Sequence, residues 1–408
     1  SSAKCGLFLL NFATASRVRP DYRGYEWILV NDHSGHCDDF TCGFIKKFST
    51  SGLILYVSNN EKLNTNNSNV NRQVNKLNNY SLLSLWHALS YSWSRRQDFS
   101  CYGFWALPIF VKYLTETARI VQACKFYSYL KLSVGTNLVT LCDTHWHQSV
   151  LTNEFQQRGL KTFTMIHGQP SEWHLLCPFI SKYVLTWGNR MSEMVLKYSD
   201  NVTSDKIIQI GNTKYYDPLE SYQIANYSYD QLNEVVFISP GYDCFDEYGY
   251  RSLKNEILRF IKLNLPGFRL SIRPRPFNGE ELFIKSIVSD EGLSDEVSIL
   301  GDGEFSTLVN TQRVFIGSIS SAIADVFILN GLFIGVFDEF EEKILETQMT
   351  YSPDIYISMK ELEIFVAGLK DGENFDNYLN KLSKIRDNLV VNVPNDLDLF
   401  LHNNSTSE

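Results

Sequence analysis

Residues 314–331 read VFIGSISSAIADVFILNG. Val314–Ile316 is an apolar run of the kind that forms a strand covered on both faces. The run stops at Gly317. Ser318, Ser320 and Ser321 follow, and the segment from Ala322 to Leu329 then reads as an apolar helix, with Gly331 just beyond its end as a stop signal. Strand, short turn and helix in that order are half of a βαβ unit, which predicts a parallel sheet flanked by helices.

The same alternation extends to either side. In the second half, Val235–Ser239, Phe268–Ile272, Val297–Leu300 and Phe333–Val336 are strand candidates. Leu253, Ile257, Phe260 and Ile261 recur at helical spacing until Pro266. In the first half the candidates are Cys5–Phe12, Trp27–Val30, Leu53–Val57, Leu138–Leu141 and Thr162–Ile166, with helices over Leu82–Trp93 and Pro108–Leu132. Residues 59–79 are rich in Asn and are expected to form a surface excursion. The prediction is an α/β chain with two Rossmann-like domains facing a central cleft. The expected divisions are residues 1–220, 221–370 and a C-terminal helical segment, 371–408, that crosses back to the first domain. The break falls in the polar stretch Asp217–Asn233.

Composition narrows the function classes. A chain of 408 residues exceeds what one core usually supports. With 44% hydrophobic and 20% charged residues it has the content of a folded protein. A net charge of −9 argues against a general nucleic-acid surface, so any phosphate must be held by a few local groups. No apolar run approaches the roughly 20 residues of a membrane helix. Eight cysteines without paired spacing fit reduced thiols, and no signal-peptide pattern opens the chain, so a cytoplasmic location is expected. The polar ends, Ser1-Ser2 and His402–Glu408, leave room for further domains in the native chain.

Four stretches carry chemistry. One serine suffices to cap a helix, whereas Ser318, Ser320 and Ser321 with Gly317 also fit a phosphate cradle. Arg273-Pro274-Arg275-Pro276 follows a predicted strand. Its arginines suit a phosphate or carboxylate, the plainer alternative being a surface turn paired with acids such as Glu280. Residues 241–249, GYDCFDEYG, offer Asp243, Asp246 and Glu247 as a base or nucleophile for sugar transfer, although acidic loop residues are usually only solvated. In the first half, His167 and Glu172 of IHGQPSE and His145 of DTHWH follow strands and could face a cleft, or be satisfied structural residues. Neither Asp143, His145 and His147 nor His33, His36, Cys37 and Cys42 has a standard zinc spacing, so no metal is expected. There is no Walker loop and no G-x-G-x-x-G.

In this order the motifs resemble bacterial surface-polysaccharide glycosyltransferases of the GT-B fold. The shared features are His167-Gly168, the segment YVLTWG at 183–188, and Gly211-Asn212 at a strand end. The pattern is similar to CMP-sugar-dependent sialyltransferases and β-Kdo transferases, and more distantly to CDP-glycerol and polyol-phosphate polymerases. The former carry an acidic loop, a His-Pro pair and a Ser-Ser pair, corresponding here to Asp243–Gly249, Arg275-Pro276 and Ser320-Ser321. Arg275 stands where the family has His. It can bind phosphate as a permanent cation but cannot titrate near neutral pH. The resemblance implies a CMP-activated ulosonic acid donor, such as Kdo or a sialic acid, with no separate cofactor. Arg273, Arg275, Ser318, Ser320 and Ser321 would hold that donor. Asp243 would be the catalytic carboxylate, with Asp246, Glu247 and Glu172 as further catalytic candidates. His167 and His145 would lie on the side of an oligosaccharide or lipid-linked glycan acceptor. Peripheral association with the inner membrane is a further expectation. A CDP-polyol phosphotransferase and a non-catalytic GT-B binding module are the alternatives.

Overall fold

In the computed structural model the described residues are 21–31, 38–49, 51–56, 71–74, 82–95, 106–141, 146–166, 178–215, 227–239, 247–275, 279–301, 305–309, 312–317, 322–337, 355–358, 360–389 and 397. The first series of elements is β1 (Trp27–Asn31), α1 (Asp38–Phe48), β2 (Gly52–Tyr56), β3 (Asn71–Val74), α2 (Leu82–Ser94), α3 (Ala106–Tyr127), β4 (Asn137–Thr140), α4 (Trp146–Gln157), β5 (Thr162–Met165), β6 (Tyr183–Thr186), α5 (Asn189–Tyr198) and β7 (Ile207–Gln209). These seven strands form one sheet in the order β3-β2-β1-β4-β5-β6-β7. The second series is β8 (Glu234–Ile238), α6 (Glu247–Ile261), β9 (Arg269–Arg273), α7 (Glu280–Asp290), β10 (Val297–Ile299), α8 (Phe305–Leu308), β11 (Arg313–Gly317), α9 (Ala322–Ile328), β12 (Leu332–Phe337), β13 (Tyr356–Ser358), α10 (Leu362–Gly368) and α11 (Gly372–Leu389). Its six strands order as β10-β9-β8-β11-β12-β13. All pairings within both sheets are parallel.

Parallel strands under helices are buried on both faces, which is why β1, β2 and β8 are buried at every residue and are apolar except for Asn31 at the end of β1 and Glu234 at the start of β8. Trp27 anchors the first sheet: its ring meets Phe44 of α1 edge-on at 5.0 Å and Phe163 of β5 at 5.4 Å. Such ring pairs add about 0.5–1.5 kcal/mol each beyond burial. In the second sheet Phe237 stacks on Phe260 of α6 at 5.2 Å. The terminal helix α11 packs on α9, β12 and, from the first series, α5. Tyr378 of α11 donates its hydroxyl proton to the Phe333 carbonyl (2.7 Å).

The structure departs from the sequence reading in several places. Residues 71–74 lie inside the stretch expected to be a surface excursion, yet they add β3 to the sheet edge beside β2. An edge strand needs only one partner's backbone, so the Asn-rich composition does not prevent pairing. Helix α3 ends at Tyr127, short of Leu132, and the chain turns through Gly135 at φ 84° into β4. At the end of α9 the left-handed residue is Asn330 (φ 58°), one position before the glycine expected to stop the helix. Gly331 is needed for room instead, because a Cβ there would lie 2.5 Å from Val326 Cγ1. Cys5–Phe12 lies outside the described residues.

Candidate functional site

Ligands of open parallel sheets bind beyond the carboxyl ends of the strands, where the strand order reverses. In the second sheet that point lies between β8 and β11. Here Arg273, Ile238 and Gly317 stand side by side, because Ile238 pairs with Arg273 on β9 and with Gly317 on β11. The chain leaving Arg273 carries Arg275. The chain leaving Ile238 carries Asp243, Asp246 and Glu247. The chain leaving Gly317 carries Ser318, Ser320 and Ser321. Three stretches far apart in sequence thus depart from one sheet edge on adjacent strands. Close approach at this edge depends on Gly317, where a Cβ would sit 3.2 Å from the Ile238 carbonyl oxygen.

The basic stretch divides into two roles. Arg273 is the last residue of β9 rather than part of the following turn, and it is buried. Its Nη1 donates to the carbonyls of Gly301 (2.7 Å) and, at longer range, Pro274 (3.4 Å), which braces the exit of β9 against the exit of β10. Arg275 is half-buried, and its backbone amide donates to Glu280 Oε1 (3.1 Å). Glu280, itself buried at the start of α7, therefore holds the backbone of the loop that carries Arg275.

Glu247 opens helix α6 and so belongs to a helix, not to the loop expected for residues 241–249. Asp243, Asp246, Ser318, Ser320 and Ser321 lie outside the described residues.

In the first sheet the order reverses between β1 and β4. His145 follows β4, while His167 and Glu172 follow the neighbouring β5; all three lie outside the described residues. The exit of β4 is pinned by Gln148 of α4, whose Oε1 accepts the Leu141 amide at 3.0 Å. His147 is buried in the same helix.

A junction missed by sequence reasoning joins the two halves. After β7 the chain turns through Gly211 (φ 73°) into the 3-10 turn Thr213–Tyr215. Thr213 donates its hydroxyl proton to the Phe40 carbonyl of α1 (2.8 Å), and Asn212 Oδ1 accepts the Lys214 amide (3.0 Å). Lys214 Nζ then reaches Asp325 Oδ2 of α9, 3.0 Å away. Asp325 lies four residues beyond Ser321, so this ion pair sits next to the serine stretch in sequence. Gly211-Asn212 was visible as a motif, but nothing in the sequence pairs Lys214 with an acid 111 residues later.

Neither a protein-family model nor a curated protein matches the chain. Solved structures do. The S. aureus MnaA–UDP structure aligns over 94% of this chain and 97% of its own, at 8% identity and a TM-score of 0.52. A UDP-GlcNAc 2-epimerase from Neisseria meningitidis bound to UDP-GlcNAc aligns over 93% and 100%, at 10% identity and a TM-score of 0.49. A glycosyltransferase from Rickettsia africae aligns over 94% and 98%, at 12% identity and a TM-score of 0.49. Identities this low bear on architecture alone. Two parallel Rossmann-like sheets with a matching full-length neighbour make this a two-domain α/β chain of the GT-B fold.

Proposed function

We propose that the chain is a glycosyltransferase that moves a sugar from a nucleotide-activated donor to a glycan acceptor. The donor is a CMP-linked ulosonic acid such as Kdo or a sialic acid, and the acceptor is a bacterial surface oligosaccharide or lipid-linked glycan. The observation that carries this reading is the registered trio of strand ends Arg273, Ile238 and Gly317. It brings the origins of an arginine, an acidic and a serine stretch to one edge of the second sheet.

In this reading Ser318, Ser320, Ser321 and Arg275 take the CMP phosphate, while Arg273 braces the loop that carries Arg275. Neutralising that phosphate favours its departure from the sugar, and fixed donors are effective because they need no reorganisation as the charge develops. Asp243 accepts the proton of the acceptor hydroxyl as the new glycosidic bond forms and the bond to phosphate breaks. Asp246, Glu247 and Glu172 are the reserve carboxylates, and His167 and His145 lie on the acceptor side. No metal and no separate cofactor enter this scheme.

Calorimetric titration of the purified chain with CMP, CDP, UDP and GDP, with and without EDTA, tests it. Binding of CMP that EDTA leaves unchanged supports the proposal. Preference for CDP would indicate a polyol-phosphate transferase. Preference for UDP, the nucleotide named with the S. aureus neighbour, would indicate a different donor class. Binding of none would leave a non-catalytic GT-B module as the better reading.

A further inference from the structure

Between Gly317 and Gly331 the chain carries one charged residue, Asp325. A helix that follows a strand of a parallel sheet starts at the carboxyl edge, where ligands of such sheets bind. Asp325 stands in the first turn of α9, about 4.5 Å along the axis from Ala322 at 1.5 Å per residue. Its side chain is 13% exposed, so solvent and salt screen its charge little. Left uncompensated, this carboxylate would repel an anion brought to the end of β11.

The compensating charge comes from the first half of the chain. Lys214 Nζ lies 3.0 Å from Asp325 Oδ2, and the lysine side chain is itself 24% exposed. The turn that presents it is seated firmly. Asn212 and Thr213 are buried, Thr213 Oγ1 donates to the Phe40 carbonyl, and the Lys214 amide donates to Asn212 Oδ1. The Thr213 carbonyl oxygen also packs so closely on Gly43 of α1 that a Cβ there would lie 1.8 Å away. A flexible lysine stem thus starts from a fixed backbone, and its ammonium is delivered to Asp325 by contacts with the first sheet's helix. Lys214 is the one charged residue of the segment 211–215, as Asp325 is of α9.

We propose that Lys214 is a positioning residue of the donor site, where it neutralises Asp325 so that a nucleotide phosphate can be accepted beside α9. This role rests on the donor reading given above, which puts that phosphate on the stretch between Gly317 and α9. Lys214 touches no reacting atom in this scheme. It acts through Asp325, and it makes nucleotide affinity in the second sheet depend on a turn seated against the first. A mere tether between the halves makes the opposite prediction for loss of the acid: a tether is weakened, whereas a neutralised repulsion is relieved.

The test is calorimetric titration of the full chain with CMP, or with whichever of CMP, CDP, UDP and GDP the wild type binds. Lys214→Met should weaken binding by about fivefold, because Asp325 is then uncompensated. Asp325→Asn should tighten binding by about twofold or more, because Lys214 is then the unbalanced charge. The double variant should return to within about twofold of wild type. Added salt should shrink both single-variant effects. Lys214→Arg, which keeps the charge, should bind like wild type, and Asp325→Asn stands as an independent test should Lys214→Met misfold, which circular dichroism will reveal. Unchanged or weaker binding by correctly folded Asp325→Asn would overturn the proposal, as would a double variant no better than Lys214→Met. A wild type that binds none of the four nucleotides would overturn the donor reading itself, and this role with it.

Discussion

Lys214 Nζ and Asp325 Oδ2 stand 3.0 Å apart and link a turn anchored on the first sheet's helix α1 to helix α9 of the second sheet. Both side chains are largely shielded, which strengthens the attraction relative to a fully exposed pair. The pair therefore couples the seating of the 213–215 turn to the position of α9, the helix that follows the serine stretch. In a double-mutant cycle, Lys214→Met and Asp325→Asn should show a coupling of about 1–2 kcal/mol in urea unfolding. Additive effects would mean that the pair contributes only geometry.

The turn that presents Lys214 is itself wedged against α1. A Cβ on Gly43 would lie 1.8 Å from the Thr213 carbonyl oxygen. A backbone oxygen cannot step aside as a flexible side chain would. Gly43→Ala should therefore destabilise the chain by about 2–4 kcal/mol and loosen the 212–215 segment. Chemical denaturation, with hydrogen exchange at the amides of 213–215, reads both effects. A variant as stable as the wild type would show that α1 and the turn can separate at little cost.

At the proposed donor site, Arg275→Ala should weaken CMP binding by roughly tenfold, the loss of one charged hydrogen-bonding partner. Arg273→Ala should act differently. Removing a buried guanidinium that braces Gly301 should lower thermal stability along with binding. Asp243→Asn should leave CMP affinity nearly unchanged while lowering turnover by at least about a hundredfold, as expected for loss of a general base. Titration calorimetry and CMP release separate the three outcomes.

Glu234, at the start of β8, is buried and accepts from Ser271 Oγ (2.5 Å) and Arg313 Nε (2.5 Å). Burial works to raise its pKa, but the hydrogen bonds from Ser271 and Arg313 and the charges of Arg313 and Arg269 outweigh it and leave the carboxyl below its ordinary value. A depressed folded-state pKa stabilises the protein above the unfolded value of about 4.3, and that contribution is lost as pH falls through the folded-state value. At neutral pH, Glu234→Gln should cost about 2–4 kcal/mol by leaving Arg313 without its counter-ion. The gap between variant and wild type should narrow in urea titrations below about pH 4. A gap independent of pH would assign the cost to packing.

Much of this architecture is legible before any coordinates. Strands β1 and β8 are covered on both faces, so their stretches Trp27–Val30 and Val235–Ile238 appear as short apolar runs that any hydrophobicity reading finds. Edge strand β3 escapes such a reading because Asn71-Arg72-Gln73-Val74 pairs through its backbone beside β2 and shows no apolar pattern. The Asn330–Gly331 stop shows the limit at a single residue. Glycine marks the right neighbourhood, but asparagine takes the left-handed turn while glycine relieves a clash with Val326, a contact that exists only after packing.

The candidate site divides along the same line. The residue types with affinity for phosphate and the carboxylates suited to proton transfer are local properties, readable from RPRP, GYDCFDEYG and SISS in one dimension. The adjacency of the strand ends from which these stretches depart is not local. Parallel register sets Arg273, Ile238 and Gly317 side by side, and that register depends on helices crossing between strands that are distant in sequence. Nor can local sequence separate Arg273, buried as a brace, from Arg275 two residues later. The chain alone determined the alternation of strand and helix and the chemistry of each loop, because burial pattern and side-chain type are written residue by residue. Tertiary structure alone decided which strand ends stand side by side, that Lys214 finds Asp325, and that Trp86 and Trp93 face outward, because each of these depends on contacts or burial formed only in the folded protein.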